Sequence, residues 1–162
     1  MPLDRPRLLA FLPCERVILG GEADGTASVI AILQGFNLHQ KIELQSPKAP
    51  SAVMPLRWWL FSLWENDYSG RSHTVKYELR SPRKTLSKVE GPLALHPTKR
   101  FQRLTTVFNG FPIDGDGDYT AHLFLKLEGE TKFDEMANFP IPFTYALRPD
   151  AEKPSSSKKR KA

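Results

Sequence analysis

The feature that most constrains this chain is a two-residue hydrophobic period, with no convincing stretch of helical period. In Thr74-Val-Lys-Tyr-Glu-Leu-Arg80, Val75, Tyr77 and Leu79 share one face, while Lys76, Glu78 and Arg80 share the other. Tyr119 to Glu128 repeats the pattern: Tyr119, Ala121, Leu123, Leu125 and Leu127 point one way, Thr120, His122 and Lys126 the other, and Phe124 stands as the odd apolar member of the wet face. Successive strand side chains point to opposite faces, so such segments are half-buried strands. Phe139-Pro-Ile-Pro-Phe-Thr-Tyr-Ala-Leu147 also alternates, and Leu8–Cys14, Ala27–Leu38, Leu56–Glu65 and residues 100–111 are β-prone, the last with a bulge expected at Gly110. Turn signals separate them at Gly20–Gly25, Asn66–Gly70, Ser81-Pro82, Asp114–Gly117 and Glu128–Glu130, and residues 40–55 form one longer connection. The pattern predicts an all-β domain over residues 1–147, an antiparallel β-sandwich, immunoglobulin-like or similar, of seven to eight strands.

Two local features sharpen that expectation. Pro140 and Pro142 are two residues apart, so their missing N–H groups lie on the same lateral side, which predicts an edge strand barred from further pairing. Tyr119 follows Gly117-Asp118 at the start of a late strand, where immunoglobulin-like sandwiches use a tyrosine to bond back to the backbone and fix a corner.

Charge matters here because a formal charge of +5 invites a polyanion-binding reading. Residues 148–162 hold six basic and two acidic residues, so this stretch alone is +4. The body, with 17 basic and 16 acidic residues, is +1. A near-neutral body without a long basic run speaks against a specific nucleic-acid-binding face. The 148–162 stretch reads as a disordered, solvated tail that offers at most weak, non-specific phosphate contact, and it is similar to a short nuclear-localisation patch. The longest apolar stretches, Leu8–Leu12 and Trp58–Trp64, are too short for a signal-peptide core or a membrane span. One cysteine excludes a disulfide scaffold, and a soluble, cytoplasmic protein is expected.

The segments Leu8-Leu-Ala-Phe-Leu-Pro-Cys-Glu-Arg-Val-Ile18, Arg57-Trp58 with Phe61-x-Leu-Trp64, Asn109-Gly-Phe-Pro112 and Gly117-Asp-Tyr-Thr120 resemble an uncharacterised bacterial family of small β-rich proteins. The resemblance spans residues 7 to about 145. It implies one domain of bacterial type, supplies no catalytic residue or cofactor, and argues against nuclear import by the tail.

Sites for chemistry are sparse. Asp114-Gly-Asp116-Gly-Asp118 places carboxylates at alternate positions, as a Ca²⁺ loop would, with Asp24, Asp67 and Asp134 as further acids for a C2-like lipid- or ligand-binding module. It lacks the EF-hand glycine and the bidentate acid, whose places are taken by Tyr119 and Leu125, and an acidic turn is the competing reading. Cys14 follows an apolar run and reads as a core residue. His39, His73, His96 and His122 are scattered, with no ligand or triad spacing. Neither an enzyme nor a cofactor is expected.

The aromatic segment carries the functional expectation. On a strand, Leu56, Trp58, Leu60, Ser62 and Trp64 share one face, and Arg57, Trp59, Phe61 and Leu63 the other. Only one face can meet the core. The second carries more apolar surface than a solvated sheet tolerates, so it is covered by a segment such as residues 40–55 or by a partner. Arg57, Trp59, Phe61 and Leu63, with Phe124, are the expected contact residues for a protein partner or a homodimer.

Overall fold

The computed structural model describes residues 4–20, 27–38, 52–115 and 117–145. Nine strands make two packed sheets, with no helix among the described residues. They are β1 (Arg7–Leu19), β2 (Ala27–Ile32), β3 (Phe36–Leu38), β4 (Ala52–Glu65), β5 (His73–Arg80), β6 (Thr85–Leu93), β7 (Phe101–Ile113), β8 (Gly117–Leu127) and β9 (Asp134–Tyr145). One sheet has the order β2-β1-β4-β7 and the other β3-β9-β8-β5-β6. The central strands β4 and β7 face β5, β8 and β9 as strands B and E face C, F and G in an immunoglobulin-like sandwich. The alternation read from the sequence is the alternation of the core: Val75, Tyr77, Leu79, Ala121, Leu123 and Leu125 are all buried.

The core is unusually aromatic. Trp58 stacks on Phe108 with ring centroids 4.6 Å apart, Phe111 lies 5.7 Å from Tyr119, and Tyr119 lies 5.4 Å from Phe143. The polar handles of these rings are met inside. Trp58 Nε1 donates to the Gly110 carbonyl at 3.1 Å. Trp64 Nε1 donates to Ser62 Oγ at 2.9 Å, and that hydroxyl also contacts Tyr77 Oη at 3.2 Å. Burial pushes the Tyr77 phenol upward, against the opposing pull of its hydrogen bonds.

Four expectations need correction. The run Ala27–Leu38 is not one strand. It leaves the first sheet after Ile32 and enters the second at Phe36, because Leu33 is buried and its N–H bonds the Pro13 carbonyl at 2.9 Å. Strand β6 was not anticipated, because Lys88, Glu90, Gly91 and Pro92 mask its alternation. The sheets are antiparallel except where β3 runs parallel to β9. The proline-marked strand β9 is therefore not wholly an edge: β3 pairs with it from Phe143 to Tyr145, starting just past Pro142. Over Asp134–Pro142 the two prolines still leave a side without a strand neighbour among the described residues. Gly35 permits this close approach. Its φ is +148°, and a Cβ there would meet the Pro142 carbonyl oxygen at 2.8 Å.

The register slip expected near Gly110 is present, but the extra residue is on β4. Pro55 and Leu56 span the gap between the Met54–Phe111 and Arg57–Asn109 pairs, opposite Gly110 at φ +96°. Residues 148–162, expected to form a tail, and the proposed cover within 40–55, apart from Ala52–Pro55, lie outside the described residues.

Candidate functional site

The outer face of the four-stranded sheet brings the sequence-predicted set on β4 together. Because Trp58, Leu60, Ser62 and Trp64 are buried against the core, the intervening residues point away from it. Strand pairing then builds rows across the sheet. Ile32, Cys14, Trp59 and Val107 form one row, Leu12, Phe61 and Thr105 the next, and Ala10, Leu63 and Arg103 a third. Phe61 is 6% exposed, whereas Ile32 and Val107 are 39% and 42% exposed and Trp59 and Leu63 are half-buried. The Arg57 guanidinium lies 5.1 Å from the Trp59 ring centroid, and Arg16 and Ile30 continue the face beside it.

The carboxylate at the rim of this face is occupied. Glu65 takes Arg100 at 2.9 Å and also pairs with Arg7, and the two guanidiniums hold it below the ordinary carboxylate range. Cys14 is fully buried beside Trp59, its thiol directed at the Trp59 carbonyl at 3.8 Å, and burial pushes its pKa up to about 11. Such a thiol is a packing group rather than a nucleophile.

Phe124 does not join this surface. Alternation identified it as outward-facing, but β8 belongs to the other sheet. There it is 7% exposed, with Lys76 Nζ 4.1 Å and the Arg80 guanidinium 5.4 Å from its ring centroid and the His122 ring stacked alongside. The outer face of the five-stranded sheet is laced with ion pairs: Lys76–Glu78, Arg80–Glu78, Lys88–Glu90 and His122–Glu135. One sheet thus presents apolar and arginine side chains, and the other presents paired charges.

The acidic loop is used internally. Asp114 is buried and accepts a hydrogen bond from Ser81 Oγ at 2.8 Å, with Lys84 Nζ at 3.4 Å. Its N–H donates to Tyr119 Oη at 2.6 Å, and that hydroxyl donates to the Gly115 carbonyl at 2.8 Å. Asp118 is exposed and Asp116 lies outside the described residues. Asp134 pairs with Arg5 at 2.9 Å, and no three His, Cys, Asp or Glu side chains gather as a cation site among the described residues. An open cleft of about 620 Å³ beside the start of β1 is lined in part by Arg5, Arg7 and Glu130, which already bond Asp134, Glu65 and the Leu127 N–H.

Sequence reasoning missed a buried polar pair. Asp67 Oδ2 meets His73 Nε2 at 3.1 Å, and Ser69 Oγ donates to the same carboxylate at 2.8 Å. The only signal was the Asn66–Gly70 turn, whose Tyr68 adopts φ +57°. Burial works to raise the Asp67 pKa, but the Ser69 and His73 hydrogen bonds outweigh it and hold it low. Glu78 and Asp114 are likewise depressed by their partners against burial. A carboxylate with a depressed folded-state pKa stabilises fully above its unfolded value and loses that contribution as pH falls through the folded value. The melting temperature is therefore expected to fall between about pH 5 and pH 2. Asp67→Asn should flatten that slope while costing on the order of 1–2 kcal/mol at neutral pH. Calorimetry across this range checks both.

The extra members of the apolar face, Leu12, Ile30, Ile32 and Val107, were also missed, because each comes from a different strand and only the sheet order aligns them. No helix among the described residues is long and apolar enough to cross a membrane. No model of a known protein family matches this chain, and no curated protein matches it either.

Proposed function

We propose that this chain is a non-enzymatic β-sandwich module that acts by protein contact, through the outer face of its four-stranded sheet. One observation carries the reading: Ile32, Trp59 and Val107 form an accessible apolar row, with Arg57 laid over Trp59, while the opposite sheet closes its outer face with ion pairs. Tryptophan and arginine beside aliphatic side chains are the composition of binding hot spots. The reactive side chains near the face support a non-catalytic role, since Cys14 is sealed and His73 is held by Asp67. A buried, unpaired cysteine suits a reducing compartment, and with the bacterial resemblance we place the module in the bacterial cytoplasm.

Photocrosslinking in the native host tests the reading. A photoreactive residue at Leu63 should give a discrete adduct, whose mass tells a second copy from another protein. The same residue at Lys88, on the ion-paired sheet, should give none. Trp59→Ala should weaken adduct formation by roughly tenfold or more. Equal labelling from both positions would refute the proposal.

A further inference from the structure

The long strand β7 ends the four-stranded sheet, and its far side has no strand partner among the described residues. Its orientation follows from the ladder. Asn66 N–H donates to the Arg100 carbonyl at 2.8 Å, so the backbone of residue 100 faces β4. Alternate residues of an antiparallel strand turn their N–H and C=O groups to opposite sides. The groups of Phe101, Arg103, Thr105, Val107 and Asn109 therefore face the open side. Regular geometry stops at Gly110.

Natural sheets blunt such edges with short strands, paired charges or proline. Strand β2 is six residues long, and β6 carries Lys88, Glu90 and Pro92. Over Phe101–Asn109 the free edge of β7 has one charge, Arg103, and no proline. Phe101 and Val107 on that stretch are 50% and 42% exposed. Independently of the outer-face proposal, we infer that β7 pairs antiparallel with β7 of a second copy of this chain, about a two-fold axis at Thr105.

Charge placement selects that register. An axis at Thr105 sets Thr105 against Thr105 of the second copy, Arg103 against Val107, and Phe101 against Asn109. Paired threonines are favourable neighbours, and the arginine meets an aliphatic side chain. An axis at Arg103 would set two guanidiniums face to face. An axis at Val107 would carry the ladder past Gly110, where the β4–β7 register already slips. The same interface on both copies closes at two and cannot grow into a fibre. All the odd-numbered β7 residues lie on the outer face, so pairing joins the two apolar faces into one continuous surface.

Sedimentation and directed crosslinking test this on the full chain. The wild type should sediment as a dimer. Thr105→Cys should form an interchain disulfide on mild oxidation, since directly paired strand positions lie about 5.5 Å apart, within bridging range. Lys88→Cys, on the other sheet's edge, should not crosslink. Thr105→Arg, which sets like charges on the axis without removing a backbone donor, should raise the dissociation constant by roughly tenfold or more while the melting temperature of the monomer holds. Thr105→Val and Trp59→Ala should both remain dimeric, the latter separating this interface from the outer-face contact. A wild type that stays monomeric at its highest soluble concentration would overturn the inference. So would a monomer whose 101–109 amides are protected from exchange, which would assign the edge to residues 39–51 of the same chain. A dimer that survives Thr105→Arg, or fails to crosslink through Thr105→Cys, would also overturn it.

Discussion

Trp58→Ala is expected to destabilise the domain by about 4 kcal/mol, the largest effect of any single substitution considered. Trp58 is fully buried on β4 and touches Phe108 and Phe111 with centroid separations of 4.6 and 5.5 Å. Removing the indole costs its transfer free energy and leaves a void that β-sheet backbone on both sides cannot collapse to fill. It also leaves the Gly110 carbonyl, at the register slip, without its indole donor. For a domain of this size the melting temperature should fall by roughly 12 °C. Trp58→Phe keeps most of the stacking and loses the hydrogen bond, so it should cost about half as much or less. Thermal unfolding by circular dichroism measures both. Equal losses for the two variants would mean that the indole N–H, rather than packing, dominates.

Tyr119→Phe is expected to cost about 2 kcal/mol, with almost no change in volume. The hydroxyl joins the Asp114 N–H and the Gly115 carbonyl across the turn that leads from β7 into β8. Asp114 is buried, so its amide would be left without its phenolic acceptor in a place that water reaches poorly. The ring contacts of Tyr119 with Phe111 and Phe143 survive the change. The loss should therefore appear locally, as faster amide exchange around residues 111–119, as well as in the melting temperature. A variant as stable as the wild type would show that the corner is held by Asp114 with Ser81 and Lys84 alone.

How much of this molecule is legible in its sequence follows from the range of the forces involved. Alternation in residues 74–80 and 119–127 reports burial directly, because each residue's face is fixed by its immediate neighbours. The tyrosine corner is equally local: Gly117 and Tyr119 are close to the groups they serve. Sheet membership is not local. Phe124 is apolar and points outward, as its place in the alternation says. Whether it joins Trp59 depends on which sheet β8 enters, and no pattern within β8 encodes that. The same limit hid the alignment of Ile32 and Val107 with Trp59. Strand β6 escaped for another reason: as an edge strand facing water it carries Lys88 and Glu90, and charge there improves solubility while blurring the two-residue period.

The short pairing of β3 with β9 has a consequence in time. Phe36 is specified early in synthesis and Phe143 near the end of the domain. The β1–β2 hairpin can close as soon as it leaves the ribosome, yet the neighbouring Phe36–Leu38 has no seat until almost the whole domain has emerged. Until then the aromatic side chain of Phe36 waits beside an unfinished sheet. Contacts of such sequence separation slow folding and lengthen the exposure of apolar surface. The last step of maturation is therefore the capture of an N-terminal segment by the C-terminal strand, and a chain truncated before Phe143 would be released with that step undone.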